Sequence, residues 1–234
     1  MTKNSIKTEW SAPTKMDEYL MPAGIIDSNS PVVREMTEIM ISGAKTPREA
    51  ARLLFHFIRD DVHYMRIDLC SKASEVIKKR WGNCTNKSVT LVALLRAANI
   101  PARVHYYTIK KGGVLSVISP FMVPLLPDVF ELNAHADVFL DGVWINLETE
   151  FDPDLYRGCL RLGLIPPLKK DWDGVSSMHL LGDYTIDDLG FAVSPEERVK
   201  AFYGKLGTLK VSLLPLWYWL NNRTLSKRRR AGRL

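Results

Sequence analysis

The sequence predicts an α+β domain, and three stretches carry that prediction. Trp81-Gly82-Asn83-Cys84 leads into residues 85–98, which are mostly good helix formers, so a helix should open at or just before Cys84. Pro101 forbids its continuation, and the β-branched and aromatic residues at 103–107 read as a strand. Asp141-Gly142, flanked by alternating segments, is a hairpin signal. At 234 residues, 46% hydrophobic and 25% charged, the chain has the composition of one ordinary globular domain with extensions. The expected divisions are an extension over 1–24, a domain over 25–204, and an apolar segment with a polybasic tail over 205–234.

The elements follow in chain order. Ser30-Pro31 is an N-cap with proline at the first helical position, opening a helix with Val32, Val33, Met36, Ile39 and Met40 on one face. Thr46-Pro47-Arg48-Glu49 is a capping box, and Leu53, Leu54, Phe57, Ile58 and Val62 continue it at helical spacing. Residues 73–80 form a short helix that delivers Trp81 and Gly82, where glycine gives the backbone freedom to turn. Asn99 suits a left-handed helix end. Between 109 and 127, glycines and prolines mark a loop with room for a strand at 114–118, and its apolar content suggests a wall or lid. On the strand before the hairpin, Asn133, His135, Asp137 and Phe139 share one face. Residues 184–189 read as an edge strand, and Ser194-Pro195-Glu196-Glu197 starts a further helix.

Cys84 is the residue with the most chemistry to offer. The positive end of a helix favours an anion, and Lys87 adds a charge one turn on, so the thiol should fall below its free pKa of about 8.5. A thiolate at such a place is a nucleophile; the bland alternative is a small hydrophobe at the start of a core helix. Three widely spaced cysteines, Cys70, Cys84 and Cys159, argue against a disulfide framework and fit a reducing compartment. With no C-x-x-C or H-x-x-x-H pair, no metal and no cofactor are expected.

Glycine, any residue, cysteine, a Leu/Ala-rich helix ending in Leu94-Leu95-Arg96-Ala97, then Ile100-Pro101-Ala102-Arg103-Val104, resembles the core of the transglutaminase-like superfamily of papain-related cysteine enzymes. The resemblance runs from about Pro31 to Asp152 and implies a papain-like core in which the cysteine helix packs on an antiparallel sheet. It implies a triad of Cys84 as nucleophile, His135 as base and Glu148 as the group orienting it, with Asp152 as the alternative third member. One departure stands out. An ungapped match through Trp144 puts Asn133 where the family has its histidine and His135 where an aromatic is common, a displacement of about 7 Å along the strand. A bulge or shorter hairpin could absorb it. Otherwise the chain is an inactive binding module on the same fold.

The backbone N–H of Cys84 is the expected first oxyanion donor, with Trp81 as a wall or second donor. The resemblance implies thiol-dependent acyl transfer or hydrolysis on an amide or thioester carbonyl, with a peptide, amide or acyl compound as the expected substrate and water or an amine as the expected acceptor. At the C-terminus, Arg223, Lys227, Arg228, Arg229, Arg230 and Arg233 carry six charges, equal to the net +6 of the chain. Beside Trp217 and Trp219 they suggest an anionic membrane surface or an acidic partner. No nucleic-acid motif is present, and the polar N-terminus without a secretory run makes the cytoplasm the expected location.

Overall fold

The computed structural model describes residues 6, 8, 10–167, 171–178, 180–192 and 194–233, without the side chains of 206–210. Part of the expected 1–24 extension lies outside the described residues. At the centre, helix α4 (Cys84–Ala97) packs on a sheet of β3 (Ala102–Lys110), β4 (Val129–Leu140), β5 (Val143–Leu147) and β6 (Thr185–Ala192). The strands lie in the order β5-β4-β3-β6, every neighbour antiparallel. Strand alternation sorts the sheet into two faces. Val104, Tyr106, Ala134, Ala136, Val138, Ile145 and Leu147 join α4 in the main core. Arg103, His105, Tyr107, Asn133, His135, Asp137, Trp144 and Asn146 occupy the other face in paired register.

Three further helices cover α4: α1 (Pro31–Met40), α2 (Pro47–His56) and α3 (Ala73–Lys79). Thr46 caps α2 by accepting the Glu49 N–H, and a wide helical turn, Phe57–Asp61, continues it. Arg80 closes α3 in the left-handed region at φ 59°, and the chain then pairs β1 (His63–Tyr64) with β2 (Trp81–Gly82) in parallel. Asn99 ends α4 left-handed at φ 62°, and Asp141 and Gly142 turn the β4–β5 hairpin at φ 51° and 86°, the double positive that such a two-residue turn needs. Residues 111–125 hold two 3-10 stretches, Lys111–Val117 and Pro120–Leu125, in place of the strand expected at 114–118.

The C-terminal segment differs most from the sequence expectation of a tail. α6 (Glu196–Ser212) and α7 (Leu214–Arg233) are helices, and α7 docks on α5 (Pro153–Arg161). Arg228 and Arg229 are buried, Arg228 donating to the Ser116 carbonyl and Arg229 to Asp152 and the Tyr64 carbonyl; Arg233 pairs with Asp154. Arg228 and Arg229, two of the six expected surface cations, are thus held inside the protein, and Arg223, Lys227, Arg230 and Arg233 remain outward. Among the described residues, no helix is long and apolar enough to cross a membrane. Glycines let α5 and α7 touch: a Cβ on Gly158 would overlap the Arg228 carbonyl oxygen, and one on Gly232 the Asp154 carbonyl. Gly158→Ala is therefore expected to destabilise by about 1–3 kcal/mol in denaturant unfolding, whereas Gly163→Ala, with open space around it, costs only its left-handed backbone.

Candidate active site

Cys84 is the first residue of α4, and the turn before it is fastened by a reciprocal cap. The Asn83 carbonyl oxygen Oδ1 accepts the Asn86 N–H at 3.3 Å while Asn86 Oδ1 accepts the Asn83 N–H at 3.2 Å. Their amide nitrogens donate to the carbonyls of Ile67 and Asp68, tying residues 67–68 to the helix start. Gly82 serves close approach: a Cβ there would stand 2.8 Å from that of Asn86.

A cavity of about 450 Å³ opens in front of the sulfur. Around the thiol stand the Tyr64 hydroxyl, the Arg66 guanidinium, the Glu150 carboxyl and the N–H groups of Thr85 and Ala134. The thiol lines this cavity, and burial around it pushes its pKa up, with Glu150 acting in the same direction against Arg66 and the two N–H groups. This corrects the expectation of a depressed pKa: burial outweighs the helix end. Nor does Lys87 act on the sulfur. Fully buried, it points the other way, donating to the carbonyls of Arg59 at 3.3 Å and Glu150 at 3.5 Å, and desolvation drops it to about 8.

His135 and Glu148 stand close together, with Nδ1 to Oε1 at 3.8 Å and both side chains buried. Neither is among the residues lining the Cys84 cavity; Asn133 and Glu150 are. Glu150 reaches both centres, because its Oε1 lies 3.6 Å from His135 Nε2 while its carboxyl acts on the Cys84 thiol. Burial raises Glu150 to about 7, opposed by its own N–H and by Lys87. Glu148 is raised too, by burial and by Glu150, although the Leu181 and Leu180 N–H groups favour its charged form.

A hydrogen-bond chain fixes the imidazole. Asp188 and Asp137 hold His105 from both sides at 2.7 and 2.8 Å. Asp137 Oδ1 accepts from Asn146 Nδ2 at 2.9 Å, which turns Asn146 Oδ1 toward His135 Nδ1 at 3.2 Å. An acceptor there means that Nδ1 carries the proton, leaving Nε2 as the basic nitrogen, which accepts from Asn133 Nδ2 at 2.7 Å. Burial lowers His105 but the two carboxylates more than offset it, so its pKa is raised; Asp137, raised by burial, is brought below its usual value by His105, Asn146 and Arg103.

Two expected residues lie elsewhere. Asp152 caps α5 through the Leu155 N–H and binds the Tyr64 N–H and Arg229, so it is a structural clamp rather than a partner of His135. Trp81 is 44% exposed and is not among the cavity-lining residues. Sequence reasoning missed Glu150, Arg66 and Tyr64. Glu150 had a signal, since alternation from Glu148 puts residue 150 on the same face if the strand continues; the other two, on the segment before the cysteine helix, had none. By distance, His135, Glu148 and Glu150, whose donor atoms lie within 4.8 Å of one another, could also hold a cation.

Residues 34–149 match the family model of the transglutaminase-like superfamily. No curated protein matches the chain. Among solved structures, it is similar to a candidate cysteine protease from Cytophaga hutchinsonii, with a TM-score of 0.52 at 15% identity over 79% of this chain and 49% of that one. Transglutaminase from red sea bream gives a TM-score of 0.35 at 12% identity over 58% and 26% of the two chains. The chain spans about half the length of the Cytophaga protein, and at that identity the likeness is one of fold. With an antiparallel sheet backing a helix that a cysteine opens, and with the family match covering that helix and three of the four strands, residues 34–149 belong to the transglutaminase-like superfamily.

Proposed function

We propose that the protein is a thiol-dependent hydrolase or acyltransferase in which Cys84 attacks an amide or thioester carbonyl. The reading is carried by one observation: a cysteine at a capped helix start, open to a cavity, with the Glu150 carboxyl between it and the His135–Glu148 pair. In the acylation step the sulfur bonds to the carbonyl carbon, and its proton passes to the Glu150 carboxylate and on to His135 Nε2. The C–N or C–S bond then breaks as that proton goes to the leaving amine or thiolate. Water or an amine, deprotonated by the same relay, attacks the thioester and frees Cys84. A carboxyl near pKa 7 suits both directions of transfer at neutral pH. The Cys84, Thr85 and Ala134 N–H groups are the candidate oxyanion donors.

A non-catalytic binding module is the second reading, favoured by Asn133 standing where the family has its histidine. Incubation with an activated acyl ester, followed by peptide-level mass spectrometry, separates the two. Acylation confined to Cys84, abolished by Cys84→Ala and slowed about a hundredfold or more by Glu150→Gln, is the expected result. No acyl adduct on Cys84 at any pH would favour the binding module. Added amine then distinguishes transferase from hydrolase by product.

A further inference from the structure

The Cys84 cavity gathers its unpaired polar atoms beside the sulfur. Four buried side-chain polar atoms lack a hydrogen-bond partner among the described residues, and three of them, Arg66 Nε, Thr85 Oγ1 and Glu150 Oε2, belong to residues lining this cavity with Cys84. Unpaired buried donors and acceptors are costly, so two donors and one acceptor gathered at a nucleophile mark the place of a polar head. A carbonyl oxygen fits the two donors, Arg66 Nε and Thr85 Oγ1.

The rest of the wall offers nothing of the kind. Asn221 is used up, accepting the Ser119 N–H and donating to the Trp217 carbonyl and the Met122 sulfur. The Ser116 carbonyl accepts from Arg228 and Cys159, and Lys205 pairs with Glu131. A hydrocarbon chain needs no hydrogen-bond partner along this wall. Two apolar clusters border the space. One holds Val117 and Phe151 with Cys84 against it, and the other holds Ile118 and Leu126 with Phe130 and Trp217 against it. Val114 packs on both, so the apolar lining continues from the sulfur to Trp217.

We propose that this cavity binds a straight acyl chain, its carbonyl held beside Cys84 by Arg66 and Thr85 and its tail running past Val114 toward Trp217, so that the substrate is a long-chain acyl thioester or amide. The proposal rests on Cys84 as nucleophile, and its volume of about 450 Å³ falls within the usual range for small-molecule sites, about 300–1,000 Å³.

The test uses the full chain carrying Cys84→Ala and calorimetric titration with saturated straight-chain fatty acids, from butyrate to palmitate, below their micellar concentrations. Affinity should rise by up to about fourfold per added methylene and then level off. Val114→Phe should move that plateau to shorter chains and Trp217→Ala to longer ones, with thermal melts checking that each variant folds. Affinity that does not depend on chain length, no binding at all, or a plateau that neither variant moves would overturn the proposal. A parallel arm exposes the unmodified protein to acetyl and palmitoyl thioesters and to palmitoyl amide. Cys84 acylated equally by acetyl and palmitoyl donors would sink the chain site and leave the thiol chemistry standing. Length-dependent binding without acylation would do the reverse, and the thioester and amide arms separate the two sources of the acyl group.

Discussion

Arg229→Ala is expected to remove about 3–5 kcal/mol of stability, which for a chain of this size lowers the melting temperature by about 10 °C or more. Arg229 Nε stands 3.0 and 3.1 Å from the two Asp152 oxygens and Nη2 2.7 Å from Oδ2, while Nη2 also donates to the Tyr64 carbonyl. The substitution strands a carboxylate with no solvent exposure, and a buried charge without its partner costs more than the intact pair contributed. Burial pushes the Asp152 pKa up, but Arg229, Lys87 and the Tyr64 N–H more than offset it and hold it low. Its contribution is therefore present above the ordinary carboxylate range and lost as pH falls through the depressed value. Thermal melts of Arg229→Ala, Asp152→Asn and the double variant check this. If the double loss equals the sum of the single ones, the two residues do not act as a pair and the clamp between α7 and the Cys84 side of the domain is wrongly drawn.

The clamp also shows where sequence reading stops. Arg228, Arg229 and Arg233 sit in a run that reads the same whether solvated or buried, and nothing local in the run tells which carboxylate 77 residues away will take Arg229. Local signals fared better. The helix at Cys84, the left-handed Asn99, the Thr46 cap and the Asp141-Gly142 turn each rest on backbone chemistry within a few residues, and each stands where the sequence put it. Alternation along β4 gave the face of His135 correctly but not its neighbours: which side chain fills the gap to Cys84 depends on where the chain goes after β5 ends at Leu147, and it goes so that Glu150 stands there. The thiol pKa was misjudged for the same reason. A helix end is legible in sequence; the depth of the cavity around it is not.

Glu150→Gln is expected to flatten the fall in stability that the raised Glu150 pKa predicts between about pH 4.5 and pH 7. Glu150 has an ordinary pKa of 4.5 and a folded value of about 7, so across that interval the folded state binds more protons than the unfolded one, and stability drops as pH rises. A gap of that size corresponds to at most about 3 kcal/mol. The groups facing Glu150 set how much of it is seen: its own N–H and Lys87 oppose the rise, Glu148 beside it is itself raised by burial and by Glu150, and His135 Nε2 and the Cys84 thiol lie against the same carboxyl. His105 slopes in the same direction at higher pH. Its raised value means a contribution fully present below 6.5 and lost as pH climbs through the folded pKa. Asp137 and Asp152 act oppositely in acid, losing their contributions as pH falls through depressed values. Stability should therefore peak on the acid side of neutrality, near pH 5. Denaturant midpoints across pH 4 to 8 read the slope directly; glutamine at 150 adds a pH-independent offset and leaves the shallower decline that Glu148 and His105 supply. An unchanged slope in Glu150→Gln would mean that the carboxyl is ionised in the fold at pH 5. In that case it could not be the group that exchanges a proton with Cys84 near neutrality, so one titration bears on both the stability and the chemistry of the site.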